Sequence, residues 1–258
     1  MSRYAIINIA FVLLIAAAIG LDRAVYFPWW GYGVIIAAYS GICAYGASVM
    51  SAQFFMPARC RGAADSRAIA ITFDDGPVPG KTDRLLDILK QYQVPAAFFC
   101  IGNRVKAAPQ LVQRMHAGGH LVGNHSYGHG TLFDLLPAGR VAQELKDTDE
   151  AIHAAIGLTP RFFRPPYGVT NPMIAWVMRR TPYTAIGWSV RSFDTMTDDD
   201  DKLLKRVTRS LKGGDVVLFH DHCESTLRIL PAFFEYAGKA GLKIVRIDEL
   251  LNEKGYRA

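Results

Sequence analysis

Two long uncharged stretches open this chain of 258 residues. Residues 5–21 form the first stretch, which is near the lower limit of the ~17–25 residues that a helix needs to span a bilayer. Residues 29–55 form the second, whose many Gly, Ala and Ser residues suit close packing against a neighbouring helix. The link between them ends in aromatic residues of the kind found at membrane surfaces. The pattern predicts a membrane anchor over residues 1–60, in which transmembrane helices at about 5–21 and 31–52 form a hairpin.

Two alternatives fit the first stretch. Arg3 followed by apolar residues is also typical of a cleavable signal peptide, although a cleaved leader need not be followed by a second stretch of spanning length. A single anchor followed by an interfacial segment is the other alternative. The hairpin is the interpretation that uses both stretches. It predicts a multi-pass protein of the cell membrane that contacts lipid through its N-terminal helices.

The charges that flank the two stretches predict an orientation. Arg3 precedes the first stretch, and three further arginines, at positions 59, 61 and 67, follow the second. The link contains a single basic residue, Arg23. Because Lys and Arg accumulate on the cytoplasmic side of membrane proteins, the charges place both termini, and the domain that follows the hairpin, in the cytoplasm.

After residue 66 the apolar residues alternate between the periods of strands and helices. Predicted strands cover residues 68–73, 96–101, 120–124, 161–164, 183–190, 215–220 and 242–247. Predicted helices cover residues 82–91, 109–117, 140–156, 171–180, 202–211 and 230–240. This alternation predicts one α/β domain over residues 66–251, with a mostly parallel sheet covered by helices.

Several polar residues fall at or just past the ends of different predicted strands. They are Asp74, Asp75, His125, Arg164, Asp194 and His220. The carboxyl ends of the strands form the catalytic face of a (β/α) barrel. A doubly wound sheet usually carries a glycine-rich phosphate loop, and this sequence has none. The placement therefore favours a barrel with an active site at this face.

Two of these strand ends offer ligands for a metal ion. Residues 72–77 read TFDDGP and supply two adjacent carboxylates, although such a sequence on its own most often forms a turn. His125 and His129 lie four residues apart, a spacing that presents both imidazoles on one side of a helical backbone. Together with Asp75 they make two nitrogen ligands and one oxygen ligand with open positions left over. This set predicts a catalytic site for a divalent metal, Zn²⁺ first, with Co²⁺, Ni²⁺ or Mn²⁺ as alternatives.

Five short motifs occur in a characteristic order. They are TFDDGP at 72–77, HSYGH at 125–129, RPPYG at 164–168, WSVRSFDT at 188–195 and LFH at 218–220. The chain from about residue 66 to residue 251 resembles the polysaccharide deacetylase family, the carbohydrate esterases with NodB homology. The resemblance implies an irregular, seven-stranded (β/α) barrel. It also implies a hydrolase that removes N-acetyl groups from an N-acetylated sugar by attack of a metal-activated water.

The resemblance also implies a role for each matching residue. Asp74, beside the metal ligand Asp75, is the expected general base, and Arg164 is expected to hold it in place. His220 is the expected general acid that protonates the leaving amine, with Asp194 keeping it charged. Further implied roles concern the substrate: the backbone N–H of Tyr167 as oxyanion donor, and Trp188 and Leu218 as the apolar wall of a pocket for the acetyl methyl group.

Composition excludes some partners and leaves the substrate open. The formal net charge is +6, but no basic stripe interleaved with aromatic residues is present, so nucleic acid is not an expected partner. A basic surface next to anionic lipid is the expected reason for the charge. The four cysteines are scattered and suggest no disulfide framework. Arg191, Thr195 and Gly130 stand where the family more often has Asp, Trp and Pro, which puts the shape of the sugar subsites in doubt.

Alternative functions remain at this point. Enzymes that resemble this chain usually act outside the cytoplasm on wall or capsule polymers, which conflicts with the orientation that the charges predict. A cytoplasmic domain would favour a deacetylase or deformylase of a lipid-linked sugar precursor. An inactive glycan-binding membrane module is a third alternative, but it has no need of both a general acid and a general base.

Overall fold

The computed structural model describes residues 2–257 of the chain. Two apolar helices come first, and strands and helices alternate after them. The helices are α1 (Arg3–Ala24), α2 (Trp29–Ser48), α3 (Thr82–Tyr92), α4 (Gly102–Ala107), α5 (Pro109–Ala117), α6 (Ala138–Ile156), α7 (Pro172–Met178), α8 (Asp200–Thr208), α9 (Glu224–Lys239) and α10 (Ile247–Leu251). The strands are β1 (Ala68–Asp74), β2 (Ala97–Cys100), β3 (Leu121–Asn124), β4 (Phe162–Phe163), β5 (Thr184–Ala185), β6 (Val190–Arg191), β7 (Val216–His220) and β8 (Lys243–Ile244).

All strand pairs in the described part of the chain are parallel, in the order β5-β4-β3-β2-β1-β7-β6, with β8 beside the start of β1. The two edge strands, β5 and β6, are joined by residues 186–189 alone. The five Cα–Cα steps from Ala185 to Val190 span at most roughly 18 Å, so the two edges of the sheet must lie close together. The sheet is therefore curled into a half-barrel, which confirms the predicted irregular barrel.

The predicted strand 183–190 is wrong as a single strand. Its first part pairs with β4, whereas its last part pairs with β7 on the far side of the sheet. Between the two, the backbone N–H groups of Arg59 and Gly187 form hydrogen bonds with Ala185 and Arg59 carbonyls at 2.8 and 2.9 Å. The change of partner divides one apolar run into two short strands.

After residue 66, the other predicted boundaries agree with the structure within three residues, except at the start of one helix. Helix α9 begins at Glu224, six residues before the predicted start, and it continues through Pro231. Proline is most common in the first turn of a helix, so the pattern placed the helix start too late. Strand β8 covers only two residues of the predicted strand 242–247, and α10 takes its last residue. The short helices α4 and α10 were not predicted.

Alternation along the strands decides which side chains enter the barrel. Every second residue of β1 points to the same side of the sheet, namely Ala70, Thr72 and Asp74. Their parallel partners on β7 are Val216, Leu218 and His220. Ala70 and Val216 belong to an apolar cluster inside the barrel, together with Phe99 of β2. The residues between them, such as Phe73 and Phe219, point to the other side of the sheet and pack beneath the outer helices. Each inward row therefore ends in a polar side chain at the carboxyl end of the barrel.

Helices α1 and α2 pack against each other in antiparallel fashion. The hydroxyl of Tyr39 donates to Asn8 Oδ1 at 2.6 Å, and the ring of Phe11 stacks on that of Tyr39 at 4.2 Å. Large apolar side chains cover the outside of both helices, among them Val12, Leu13, Leu14, Val34 and Ile36. Among the described residues, α1 is the one helix that is long and apolar enough to cross a membrane. Helix α2 has 20 residues and ends at Ser48, four residues before the predicted end, and the second span stays a prediction.

The segment after α2 packs against the barrel. Phe54 and Phe55 are buried in one apolar cluster with Phe163 of β4 and Ile174 of α7. The start of α1 returns to the same place, because the backbone N–H of Tyr4 donates to the Phe54 carbonyl at 3.1 Å. We call residues 2–4 and 46–58 the hairpin base. Both ends of the hairpin are thus fixed on one side of the domain.

Close packing inside the barrel makes Gly123 a test of this architecture. A Cβ atom added to Gly123 would lie 2.7 Å from the ring of Phe99 and 3.3 Å from the Phe162 carbonyl oxygen. We expect Gly123→Ala to lower the free energy of unfolding by about 1–3 kcal/mol. Thermal unfolding should show this as a fall of about 2–4 °C in Tm for each kcal/mol.

The matched control is Gly139→Ala in α6, where an added Cβ meets nothing within 4 Å. Because alanine favours helix more than glycine does, this variant should unfold at the wild-type temperature or above it. Equal Tm values for the two variants would show that the barrel interior is not packed as described.

Candidate active site

Six predicted site residues meet at the carboxyl end of the barrel. Asp74 is the last residue of β1 and pairs in register with His220, the last residue of β7. His125 and Arg164 directly follow β3 and β4, and Asp194 begins a short 3₁₀ helix after β6. Because parallel strands end at the same edge of a sheet, residues far apart in sequence become neighbours here.

The candidate metal centre consists of Asp75, His125 and His129. Asp75 Oδ1 lies 3.4 Å from the Nε2 atoms of both histidines, and one ligand atom from each residue falls within 4.8 Å of the others. The Nδ1 atom of His125 is 2.7 Å from the carbonyl oxygen of Arg164, so Nδ1 carries a proton and Nε2 is the ring atom that faces the ligand set. The donor set therefore fits a divalent metal ion with two nitrogen ligands and one oxygen ligand.

The histidine pair was predicted from a helical spacing, but residues 125–129 do not form a helix. Residues 125–129 form a turn, in which the N–H of His129 donates to Ser126 Oγ at 3.1 Å. Asp75, Ser126 and His129 all have positive φ angles, of 74°, 64° and 47°. Residues other than glycine rarely adopt this left-handed conformation, and its clustering is typical of functional sites. The turn still brings the two imidazole rings to 4.8 Å, so the predicted pairing of the side chains holds.

Charge at the metal centre suits a cation. Burial and the neighbouring His125 lower the pKa of His129 to about 4, so its imidazole is neutral at neutral pH. Burial alone would raise the pKa of Asp75, but His125 and the other nearby histidines hold that pKa below its usual range. A neutral imidazole and an ionised carboxylate are the forms that bind a metal.

Asp74 is held by a fully buried arginine. The guanidinium of Arg164 donates to Asp74 Oδ1 at 2.6 Å and to the Thr72 hydroxyl at 2.8 Å. Its remaining donors reach the carbonyls of Ile186 and Gly187 at 3.2 and 2.9 Å. The other carboxylate oxygen of Asp74 lies 3.8 Å from His125 Nε2, on the side of the metal centre. One oxygen of Asp74 is thus fixed while the other faces the candidate metal centre.

His220 and Asp194 form a second charged pair. His220 Nδ1 is 2.7 Å from Asp194 Oδ1, and the His220 backbone N–H donates to Asp194 Oδ2 at 2.7 Å. The hydroxyl of Thr226 donates to the same Oδ2 at 2.6 Å. Burial alone would lower the pKa of His220, but the hydrogen bond and charge of Asp194 outweigh burial and raise it. The imidazolium form that a general acid needs is therefore stabilised.

The structure gives the positions of the residues predicted to line the substrate pocket, but it does not test their roles. Tyr167 has a φ of 59°, is exposed, and brings its ring to 4.8 Å from that of His129. Trp188 packs so tightly over Gly168 that a Cβ atom there would overlap its ring. Leu218 is buried in the inward row below His220. Their roles as oxyanion donor and apolar wall stay predictions.

Four supporting residues were missed by the sequence analysis. Thr72 and Thr226 orient Arg164 and Asp194 through the hydroxyl contacts described above. Arg104 of α4 donates to the Asp75 carbonyl at 2.5 Å, and His222 Nδ1 lies 3.9 Å from Asp75 Oδ2. Thr72 precedes Asp74 by two residues and His222 follows His220 by two residues. The two-residue period of a strand could therefore have pointed to both. Arg104 and Thr226 lie on helices and had no such signal.

Comparison with known proteins identifies the family. A sequence model of the family described as polysaccharide deacetylase matches residues 61–186. A chitooligosaccharide deacetylase of Bradyrhizobium sp. (strain ANU 289) is 37% identical over 157 residues, which cover 60% of this chain and 71% of that protein. The chain belongs to the polysaccharide deacetylase family. Its named relatives are hydrolases that act on the N-acetyl amide bonds of sugars.

Two further members of the polysaccharide deacetylase family extend the match. A peptidoglycan-N-acetylglucosamine deacetylase of Listeria monocytogenes is 34% identical over 189 residues, which cover 73% of this chain but 40% of the relative. The crystal structure of the Bc1960 peptidoglycan N-acetylglucosamine deacetylase superimposes with a TM-score of 0.73 at 27% identity, over 77% of this chain and 94% of that one. Deacetylases of this family are metalloenzymes, and the Asp75, His125 and His129 set is the corresponding candidate here.

Proposed function

We propose that this protein is a metal-dependent hydrolase that removes N-acetyl groups from an N-acetylated sugar. The observation that carries the proposal is the joint placement of three parts around one point. These parts are the ligand set of Asp75, His125 and His129, the Arg164-bound carboxylate of Asp74, and the charged His220–Asp194 pair. Peptidoglycan, another polysaccharide or an oligosaccharide is the proposed substrate class, in keeping with the relatives named above.

Each side chain has a defined task in the proposed reaction. A Zn²⁺ ion at the ligand set would lower the pKa of a water molecule from about 15.7 toward 7 and polarise the acetyl carbonyl. Asp74 accepts the proton of the attacking water, while Arg164 keeps the carboxylate in place. The N–H of Tyr167 donates to the oxygen that gains negative charge. His220 transfers its proton to the sugar nitrogen as the carbon–nitrogen bond breaks, so the products are acetate and a free amine.

The alternatives raised by the sequence gain little support. The relatives named above are deacetylases of peptidoglycan and chitooligosaccharide, not of lipid-linked precursors. An inactive glycan-binding module would not need Asp74 and His220 to be held by separate charged partners, as they are here. The native metal is proposed to be Zn²⁺, which two imidazoles and a carboxylate suit, although Co²⁺, Ni²⁺ and Mn²⁺ accept the same donors.

Two matched variants should distinguish loss of the metal from loss of activity alone. Purified protein should carry about one divalent ion per chain, and a chelator should remove it together with acetate release from N-acetylglucosamine oligomers. His125→Ala should lose both, because it removes a ligand. Asp74→Asn should keep the metal and lose acetate release by about 10²–10⁴-fold, because it removes only the base.

His116→Ala is the control, since His116 is exposed on α5 away from the ligand set, and it should keep both metal and activity. Full activity in metal-free protein would contradict the proposed mechanism. Wild-type turnover in Asp74→Asn would assign the base to another group.

The pH dependence of kcat/KM should follow the protonation of His220. The acid must be protonated, so kcat/KM should fall as His220 loses its proton, above pH 6.5 because Asp194 raises the pKa of this histidine. Asp194→Asn leaves burial as the main influence on His220, so the basic limb should move to lower pH. His220→Ala should slow the reaction and flatten the basic limb. An unchanged basic limb in His220→Ala would show that another group supplies the proton.

We also propose that residues 1–60 form a membrane anchor for a catalytic domain over residues 66–251. Two contacts support a hairpin over a single span. Arg3 donates to the Ala52 carbonyl at 2.7 Å, and Tyr4 donates to the Phe54 carbonyl at 3.1 Å. Since the start of α1 lies on the domain, an α1 that crosses the bilayer ends on the far side, and α2 must bring the chain back.

The orientation of this hairpin can be measured with fused reporters. The flanking arginines predict a cytoplasmic domain, so a fluorescent tag after Ala258 that matures only in the cytoplasm should be bright. The same tag after Tyr26, in the link, should be dark because α1 alone precedes it. Activity of a periplasm-specific phosphatase after Ala258 would overturn the orientation and indicate a wall or surface polymer as substrate. The same compartment at both positions would contradict the hairpin.

A further inference from the structure

A cleft of about 930 Å³ lies beside the hairpin base, away from the candidate active site. One wall comprises Ser2, Arg3 and Gln53, which belong to or adjoin the start of α1 and the segment after α2. Buried apolar side chains, such as those of Phe55 and Met56, line its interior. No residue that we assign to the deacetylase site lines this cleft.

The cleft carries an excess of positive charge. Its lining includes four arginines, Arg3, Arg59, Arg161 and Arg179, and a single carboxylate, Glu253. Glu253 is already paired with Arg59 at 2.8 Å. The other three guanidinium groups form no ion pair with a carboxylate in the described part of the chain. Three positive charges of this cleft therefore lack a counter-charge from residues 2–257.

One of these arginines also has an unused buried donor. The Nε atom of Arg161 is buried and has no hydrogen-bond partner among the described residues. Buried N–H groups are almost always paired in folded proteins, so a buried guanidinium donor without a partner indicates an acceptor that comes from outside residues 2–257. Guanidinium groups bind phosphate oxygens through two parallel hydrogen bonds, which makes a phosphate group a suitable acceptor.

We propose that this cleft binds the phosphate headgroup of an anionic phospholipid. The inference rests on the proposed membrane anchor, because the hairpin base is where α1 and α2 leave the bilayer. Arg3 at the start of α1 and the residues just after α2 then lie at the level of the headgroups, where anionic lipids attract basic side chains. The apolar interior of the cleft suits the glycerol and the first methylene groups of the lipid, which a free phosphate ion does not have.

An acidic glycan is the other class of ligand that arginines attract. It accounts less well for the cleft, because its hydroxyl-rich surface gains little from an interior of Phe55, Met56, Ala175 and Met178. The position at the hairpin base also has no relation to the deacetylase site, which an acidic substrate would have to reach. Lipid is therefore the ligand to which we commit, and glycan binding becomes an outcome of the test.

Lipid retention by the purified full chain in neutral detergent tests the proposal. Native mass spectrometry with added phosphatidylglycerol should show one preferentially bound lipid per chain, and phosphatidylcholine should be retained far less. The double variant Arg161→Gln/Arg179→Gln should weaken phosphatidylglycerol binding by about tenfold or more, since it removes two charge-assisted contacts. Both variant positions lie outside the deacetylase site, so acetate release should be unchanged.

The matched control is Lys205→Gln/Arg209→Gln, which removes the same charge from exposed positions on and next to α8. It should bind phosphatidylglycerol as the wild type does. Equal weakening in both double variants, or equal retention of the two lipids, would overturn the proposal. Displacement of the lipid by millimolar inorganic phosphate would show that the site recognises free phosphate. Tight binding of dextran sulfate that depends on Arg161 and Arg179, without lipid binding, would assign the cleft to an acidic glycan.

Failure of this proposal is distinguishable from failure of the proposed function. Recovery of the chain in the membrane fraction tests the anchor, and acetate release tests the deacetylase, whereas lipid retention tests the cleft alone. If the double variant unfolds below the wild-type Tm, the single variant Arg179→Gln replaces it, because Arg179 is exposed and makes no side-chain hydrogen bond in the described part of the chain. Wild-type retention of phosphatidylglycerol in that variant and in Arg161→Gln would overturn the proposal.

Discussion

The buried ion pair between Arg164 and Asp74 is the constraint on which the rest of the site depends. A buried charge that loses its partner destabilises a protein by about 3–5 kcal/mol, so the carbonyls and the carboxylate around Arg164 must stay where they are. The same residue acts on the candidate metal centre, because its carbonyl oxygen accepts from His125 Nδ1 at 2.7 Å. One arginine therefore fixes the proposed general base through its side chain and the ring orientation of a proposed metal ligand through its backbone.

This constraint extends to the hairpin base. The carbonyls of Ile186 and Gly187, which hold the guanidinium, lie where residues 59 and 185–187 pair. Thr170, three residues after Tyr167, donates through its N–H to the Ala47 carbonyl at 2.9 Å and through its hydroxyl to the Gly46 carbonyl at 3.2 Å. The last turn of α2 thus supports the loop that carries Tyr167. The hairpin base is accordingly packed into the wall of the α/β domain, so the proposed anchor is not joined to that domain by a flexible tether.

Sequence reasoning located the candidate site because polar residues at strand ends are a strong signal. Asp74, His125, Arg164 and His220 each end an alternating row, and a parallel sheet brings such ends together. The positive φ angles of Asp75, Ser126 and His129 could not be read from the sequence, since none is glycine. Their strain is accepted only because the surrounding packing and hydrogen bonds enforce it. The cleft beside the hairpin base was equally hidden, because its lining comes from six separate parts of the chain that meet only after folding.

Two histidines of this site illustrate how environment assigns a role that sequence alone cannot. Burial lowers the pKa of His129, and the neighbouring His125 adds to the effect, so its imidazole is neutral and free to bind a metal. Burial acts in the same direction on His220, but Asp194 accepts from its ring and its backbone and reverses the shift. Because Thr226 and the His220 N–H fix Asp194 in turn, its carboxylate cannot rotate away. The difference between the proposed ligand and the proposed acid therefore lies in one oriented carboxylate and not in the imidazole itself.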